Sequence, residues 1–273
     1  MMPMALYRAA VEGKEDDDDD EYYFEALRQP AAGVTTTAYG GNTVLHVAAL
    51  HGQKQFMDKI LILAETEEDY HRMSCMLLAR NKNGETVLHC AAEKGYADIE
   101  SLVISATKIL YYKDVEIGVG VREMIGMMDN VKDTALHKAV RMGHLEVVKL
   151  LIQEDPEFEY FANDAGETPI YIAAELQFDE CLVEMLNTCR KPTYDGPLGR
   201  NALHAAVLSV YTSKCTKPLL KKEFSLWGKS DDFGWTPLHY AVRVDNAGAA
   251  AMILERERSA AYIRAGNNND DKE

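Results

Sequence analysis

Six segments of the 273-residue chain share one pattern, and nothing else in the sequence constrains the fold so tightly. They are Thr43-Val44-Leu45-His46, Thr86-Val87-Leu88-His89, Thr134-Ala135-Leu136-His137, Thr168-Pro169-Ile170-Tyr171, Asn201-Ala202-Leu203-His204 and Thr236-Pro237-Leu238-His239. In each, an alanine stands two residues beyond the last of the four. Their first positions step by 43, 48, 34, 33 and 35 residues. A near-constant period of this size means a repeated supersecondary unit that is stacked on its copies.

Each position has a physical task. Thr, or Asn201 by the same chemistry, opens a helix and satisfies an orphan backbone N–H. Pro169 and Pro237 sit at the first helical position, where a missing N–H costs nothing. The Leu and Ala side chains point inward, and the imidazole is expected to bond both to the Thr region and to a neighbouring unit. Gly52, Gly95 and Gly143 end the first helix. A second helix follows, clearest in the Leu145/Val148/Leu151/Ile152 stripe. Turns at Asn83-Gly84, Ala165-Gly166 and Phe233-Gly234 precede the next copy.

The pattern resembles the ankyrin repeat, whose signature is Thr-Pro-Leu-His-x-Ala. The resemblance implies an all-α ankyrin-repeat solenoid of six recognisable repeats, starting near 41, 84, 132, 166, 199 and 234. Residues 41–265 then form the repeat domain and 266–273 a polar acidic tail. Residues 1–40 form a degenerate N-terminal repeat or cap, with Leu6–Ala10 and Phe24–Leu27 around an acidic loop at 15–21. The first two spacings carry insertions, near 65–80 and 108–128. Met73, Met76 and Leu77 suggest a helix in the first, and Val121, Met124 and Ile125 a helix in the second. Ala261-Tyr262-Ile263 reads as the lead-in to a further turn, so the last repeat is expected to present an apolar end to water.

Longer phrases narrow the likeness. Gly41-Asn42-Thr43-Val44-Leu45-His46-Val47-Ala48-Ala49, Asn163-Asp164-Ala165-Gly166-Glu167-Thr168-Pro169-Ile170-Tyr171, Gly199-Arg200-Asn201-Ala202-Leu203-His204 and Phe233-Gly234-Trp235-Thr236-Pro237-Leu238-His239-Tyr240 resemble the plant ankyrin-repeat proteins of the accelerated-cell-death type. That resemblance implies a role in defence, cell-death control or stress signalling. Longer members carry a C-terminal membrane domain, and none is expected within these residues. The alternative this leaves open is a cytosolic fragment of a membrane-anchored ankyrin protein that regulates by self-association with full-length relatives. Other ankyrin-repeat membrane proteins are therefore among the implied partners; the implied location is cytoplasmic, with recruitment to a membrane's cytosolic face only through such partners.

Composition narrows the chemistry. The formal net charge of −15 argues against non-specific nucleic-acid or anionic-membrane binding. Residues 15–21 alone carry seven acidic side chains. No stretch approaches the ~18 apolar residues of a bilayer span. Five cysteines without a Cys-x-x-Cys motif read as reduced thiols. His46, His89, His137, His204 and His239 belong to the repeat, as Tyr171 does. His71 and Cys75 make a pair, which is too few ligands for zinc. Gly228-Lys229-Ser230 fails as a phosphate loop because Glu223 stands where its first glycine is required. No enzyme, cofactor or metal is expected.

Binding is instead expected on the surface built from the first helices and the turns, with a protein as partner. Among the positions just after the motif histidine and after the alanine pair are Val47, Cys90, Lys138, Ile172, Ala205, Tyr240, Arg141, Met142 and Arg243. Aromatic and Arg side chains dominate interface hot spots. The expected binding residues are thus Trp235, Tyr240, Arg243 and Phe233, then Arg141, Met142 and Lys138.

Overall fold

The computed structural model describes residues 4–13, 39–62, 66–113, 120–209 and 214–266. The acidic run at 15–21, the Phe24–Leu27 segment and the tail from 267 lie outside them. Contacts divide the chain into two units, Met1–Met142 and Gly143–Glu273.

The first unit contains α1 (Met4–Glu12), α2 (Val44–His51), α3 (Lys54–Ile62), α4 (Glu67–Leu78), α5 (Val87–Lys94), α6 (Ala97–Lys113), α7 (Val121–Ile125) and α8 (Ala135–Met142). α1, α2, α5 and α8 pack side by side in one layer, and α3 packs on α6 in another. Alanine makes the first layer possible. Ala48, Ala49, Ala91, Ala92 and Ala139 are fully buried, and their short side chains let neighbouring helices approach closely. The helices expected in the two insertions exist as α4 and α7. Both pack on α6, through Met73, Met76, Leu77, Met124 and Ile125. α6 also buries one anomaly. Glu100 has no solvent exposure, and neither of its carboxylate oxygens has a partner. Burial holds its carboxyl well above the ordinary range.

The second unit contains α9 (Leu145–Glu154), α10 (Pro169–Glu175), α11 (Asp179–Thr188), α12 (Ala202–Val207), α13 (Thr216–Lys222), α14 (Pro237–Arg243) and α15 (Ala247–Arg256). α10, α12 and α14 form one layer; α9, α11, α13 and α15 form the other. Among the described residues there is no strand, only an isolated bridge between Asp195 and Asn201.

The histidines carry the coupling between repeats. His46 Nδ1 accepts the Thr43 N–H at 3.3 Å and the Thr43 hydroxyl at 2.7 Å, while Nε2 donates to Glu85 O at 2.9 Å. His89 repeats this with Thr86 and with Asp133 O at 3.0 Å. His204 does so with the Asn201 N–H and Trp235 O at 2.9 Å. A ring nitrogen that accepts an N–H is unprotonated, and one facing a carbonyl carries the proton. These imidazoles are therefore neutral Nε2–H tautomers. Burial depresses His89 and His204 to about 4.

The fourth repeat solves the same problem differently. Tyr171 replaces histidine and is fully buried. Thr168 itself reaches forward, donating its N–H and its hydroxyl to Asp195 O at 3.1 and 2.9 Å. The Tyr171 ring fills the space in front of Gly196, where a Cβ would fall inside the ring's van der Waals envelope. Gly196→Ala is accordingly expected to destabilise the second unit by about 1–3 kcal/mol, the usual cost of overpacking. A thermal melt that matches the parent would refute this.

A candidate protein-interaction surface

The turns between repeats share a device. Asn81, Asp129, Asn163 and Asp231 each stand five residues before the helix cap. Each accepts through Oδ1 from the N–H two residues on and from the N–H four residues on, at 2.8–3.0 Å. Gly84, Gly166 and Gly234 complete three of these turns with φ of 79°, 79° and 73°. The middle residues of each turn are thrown outward.

The last such turn bears the strongest aromatic cluster. Trp235 leaves the turn and packs against Tyr240 of α14, the rings tilted by 55° with centroids 5.3 Å apart. The Arg243 guanidinium lies over the outer Trp235 face at 5.2 Å. Tyr240 is only 8% exposed and donates to Asp231 Oδ2 at 2.6 Å. Arg200, from the preceding turn, donates to the Tyr240 oxygen at 3.1 Å and covers its ring. Burial pushes the Asp231 carboxyl up. Hydrogen bonds from Tyr240 and from the Trp235 and Phe233 N–H groups outweigh it, so the group stays below its ordinary range. Tyr240, Arg200 and Asp231 thus brace the turn, while Phe233, 49% exposed, and the Arg243-capped Trp235 meet solvent.

The same end of α14 is open. Val242 is 67% exposed, whereas the residues at its position in the other five repeats (Ala49, Ala92, Val140, Ala174 and Val207) are completely buried. His239 binds Thr236 through Nδ1 at 2.8 Å, but no described residue reaches its Nε2. Trp235, Leu238, Val242, Arg243, Leu254 and Ile263 line a shallow cavity of about 450 Å3 there.

In the first unit, Lys138 and Arg141 engage the turns. Lys138 Nζ lies 3.0 Å from Glu85 Oε1 and 3.1 Å from Asp129 Oδ2, clamping two successive turns. Arg141 Nη2 lies 3.3 Å from Asp133. Met142, by contrast, is 50% exposed. Because Asp129 is nearly inaccessible, Lys138→Met strands a carboxylate. The expected cost is about 1–3 kcal/mol, read as a lower urea midpoint; an unchanged midpoint would mean that the clamp is energetically idle.

One expectation is corrected. Val47, Cys90, Ile172 and Ala205, read as surface positions, are buried, because each faces the neighbouring helix of its own layer. The Asn/Asp at the start of each turn and Arg200 hold the turns without standing in the repeat motif itself. The five-residue spacing to the cap was the available signal for the former; nothing local marks the latter. Cys90, Cys181, Cys189 and Cys215 are buried free thiols. Burial raises Cys181 and Cys189 to about 11 and Cys215 to about 12, so they are poor nucleophiles. Among the described residues, no three His, Cys, Asp or Glu side chains converge as metal ligands, and no helix is long and apolar enough to cross a membrane.

The family model for ankyrin repeats matches residues 6–117, 105–195 and 179–264. The chain is an ankyrin-repeat protein. It is 25% identical to the Arabidopsis thaliana protein ACCELERATED CELL DEATH 6 over 82% of its own length and 34% of the relative's. A second Arabidopsis thaliana ankyrin repeat-containing protein is 30% identical over 48% of this chain and 22% of its own length. The chain therefore spans about a third of the first relative and less than a quarter of the second. Among solved structures, the ankyrin repeat domain of Bcl-3 superposes with a TM-score of 0.70 at 17% identity, covering 93% of this chain and 98% of that domain.

Proposed function

We propose that the ankyrin repeats form a non-enzymatic scaffold that grips a protein through Phe233, Trp235 and Arg243, in plant defence, cell-death or stress signalling. One observation carries this: a half-open aromatic patch braced by buried Asp231 and Tyr240 together with Arg200. A surface ordered before binding loses little entropy on association. The pathway rests on the likeness to ACCELERATED CELL DEATH 6. Alanine at Trp235 or Arg243 is expected to weaken a bound partner at least tenfold, as for interface hot spots, with the melting temperature unchanged. Affinity capture with mass spectrometry from plant cells, comparing the parent with both variants, tests it; an identical set of captured proteins would sink the assignment.

The open face of α14 favours a second reading, regulation through association with longer ankyrin-repeat relatives. Val242 on α14 is 67% exposed, and no described residue reaches His239 Nε2, so an apolar face and a ring N–H stand open together. Co-purification with the repeat segment of an accelerated-cell-death relative is expected, and Val242→Glu should abolish it. Loss with Trp235→Ala but not with Val242→Glu would favour the first reading alone.

A further inference from the structure

The other layer of the second unit holds a groove that the repeat pattern does not explain. The second helices α11 and α15 each run ten residues, but α13 runs seven. The short helix packs less extensively on α11 than α9 does. What remains between α11 and α13 is a groove of about 610 Å3. Its apolar lining comes from Val183, Leu186 and Pro218, and Val183 is 37% exposed. Its rim carries Lys214, Lys217, Lys221 and Lys222 against one carboxylate, Asp179.

What marks these lysines is their clustering, four on one rim beside a single carboxylate. Elsewhere Lys54, Lys94, Lys138 and Lys149 each hold a carboxylate within 3.3 Å. Around the groove, Lys214 pairs with Asp179 at 3.7 Å, and among the described residues no carboxylate pairs with Lys217, Lys221 or Lys222. Four positive charges beside a single carboxylate, on a protein of net charge −15, make a local field that selects anions. The cations are spread along more than one helical turn, so they suit several separated negative charges better than one phosphate. The apolar residues line a concavity and do not project, which disfavours insertion into a bilayer.

We propose that this groove docks an acidic peptide segment of a partner protein, one that seats a Leu- or Phe-sized side chain on Val183 and Pro218 while its flanking carboxylates meet Lys214, Lys217, Lys221 and Lys222. This docking surface goes beyond the Trp235 reading and stands without it.

Fluorescence anisotropy of the full chain tests the proposal. The probe is a labelled twelve-residue peptide of Glu and Asp interrupted by Leu and Phe, with an oligoglutamate of equal length as control. The mixed peptide is expected to bind at least tenfold tighter than oligoglutamate and to weaken as salt rises. Lys217→Glu/Lys221→Glu should reduce its affinity at least tenfold, and Val183→Asp at least fivefold. Circular dichroism confirms that both variants fold, and Trp235→Ala should leave the affinity unchanged. Equal binding of the two peptides, indifference to either groove variant, or no binding at low salt would overturn the proposal. So would phosphatidylserine vesicles that sediment the parent but not the lysine variant, since they would make the surface a membrane contact.

Discussion

Replacing Glu100 with glutamine or leucine is expected to stabilise the protein at neutral pH, by roughly 2 kcal/mol for the leucine, within the range seen when a buried charge yields to a well-packed apolar residue. The side chain is wholly enclosed and its two oxygens meet no donor. Ionising it therefore means stranding a charge in an apolar setting, and keeping it protonated at pH 7 also costs free energy. The pH dependence follows from the raised pKa. The folded state holds this proton where the unfolded chain releases it, so the contribution is fully present below the unfolded value near 4.5. It is lost as pH rises toward the higher folded value. The gap between parent and Glu100→Gln in urea denaturation should thus be small at pH 4.5 and widen to pH 7.5. A constant gap would refute the assignment.

The histidines should give the opposite slope. His89 and His204 titrate near 4 when folded and near 6.5 when unfolded. The unfolded chain takes up protons first, so their contribution is complete above pH 6.5 and lost as pH falls from there toward 4. Each is expected to remove about 3 kcal/mol across that window, because charging the ring forces a proton onto the nitrogen that accepts the cap N–H. Acid should therefore unfold the protein through its repeat-to-repeat ties. In a Glu100→Gln background, which removes the opposing slope, the urea midpoint should fall steeply between pH 6.5 and 4.5. Adding His89→Gln and His204→Gln should lower stability at pH 7 and flatten that decline. An unaltered slope in the triple variant would show that the acid response arises elsewhere.

What the sequence disclosed was local chemistry at fixed spacing. The Thr caps, the Pro starts and the helix-ending glycines act within a few residues, and the histidine ties recur with the period. What it hid depends on how closely neighbours approach. Val47 and Ile172 read as surface, yet the alanine-lined helices stand so near that each is buried against the neighbouring helix of its own layer. Tyr240 and Lys138 carry chemistry suited to a partner, but each spends it on a carboxylate of an adjoining turn. The lysine-rimmed groove exists because α13 is three residues shorter than its neighbours, a length that periodicity does not reveal.

The turns themselves have an evolutionary consequence. One Asn or Asp oxygen holds each loop by grasping backbone N–H groups. The residues it displays, such as Asn83, Val131, Ala165 and Phe233, are exposed and so contribute little to that grip. Each loop is therefore a mount whose displayed letters can be exchanged without retooling the frame, so that new specificity can be acquired by point changes at a handful of sites while the stack beneath is inherited intact.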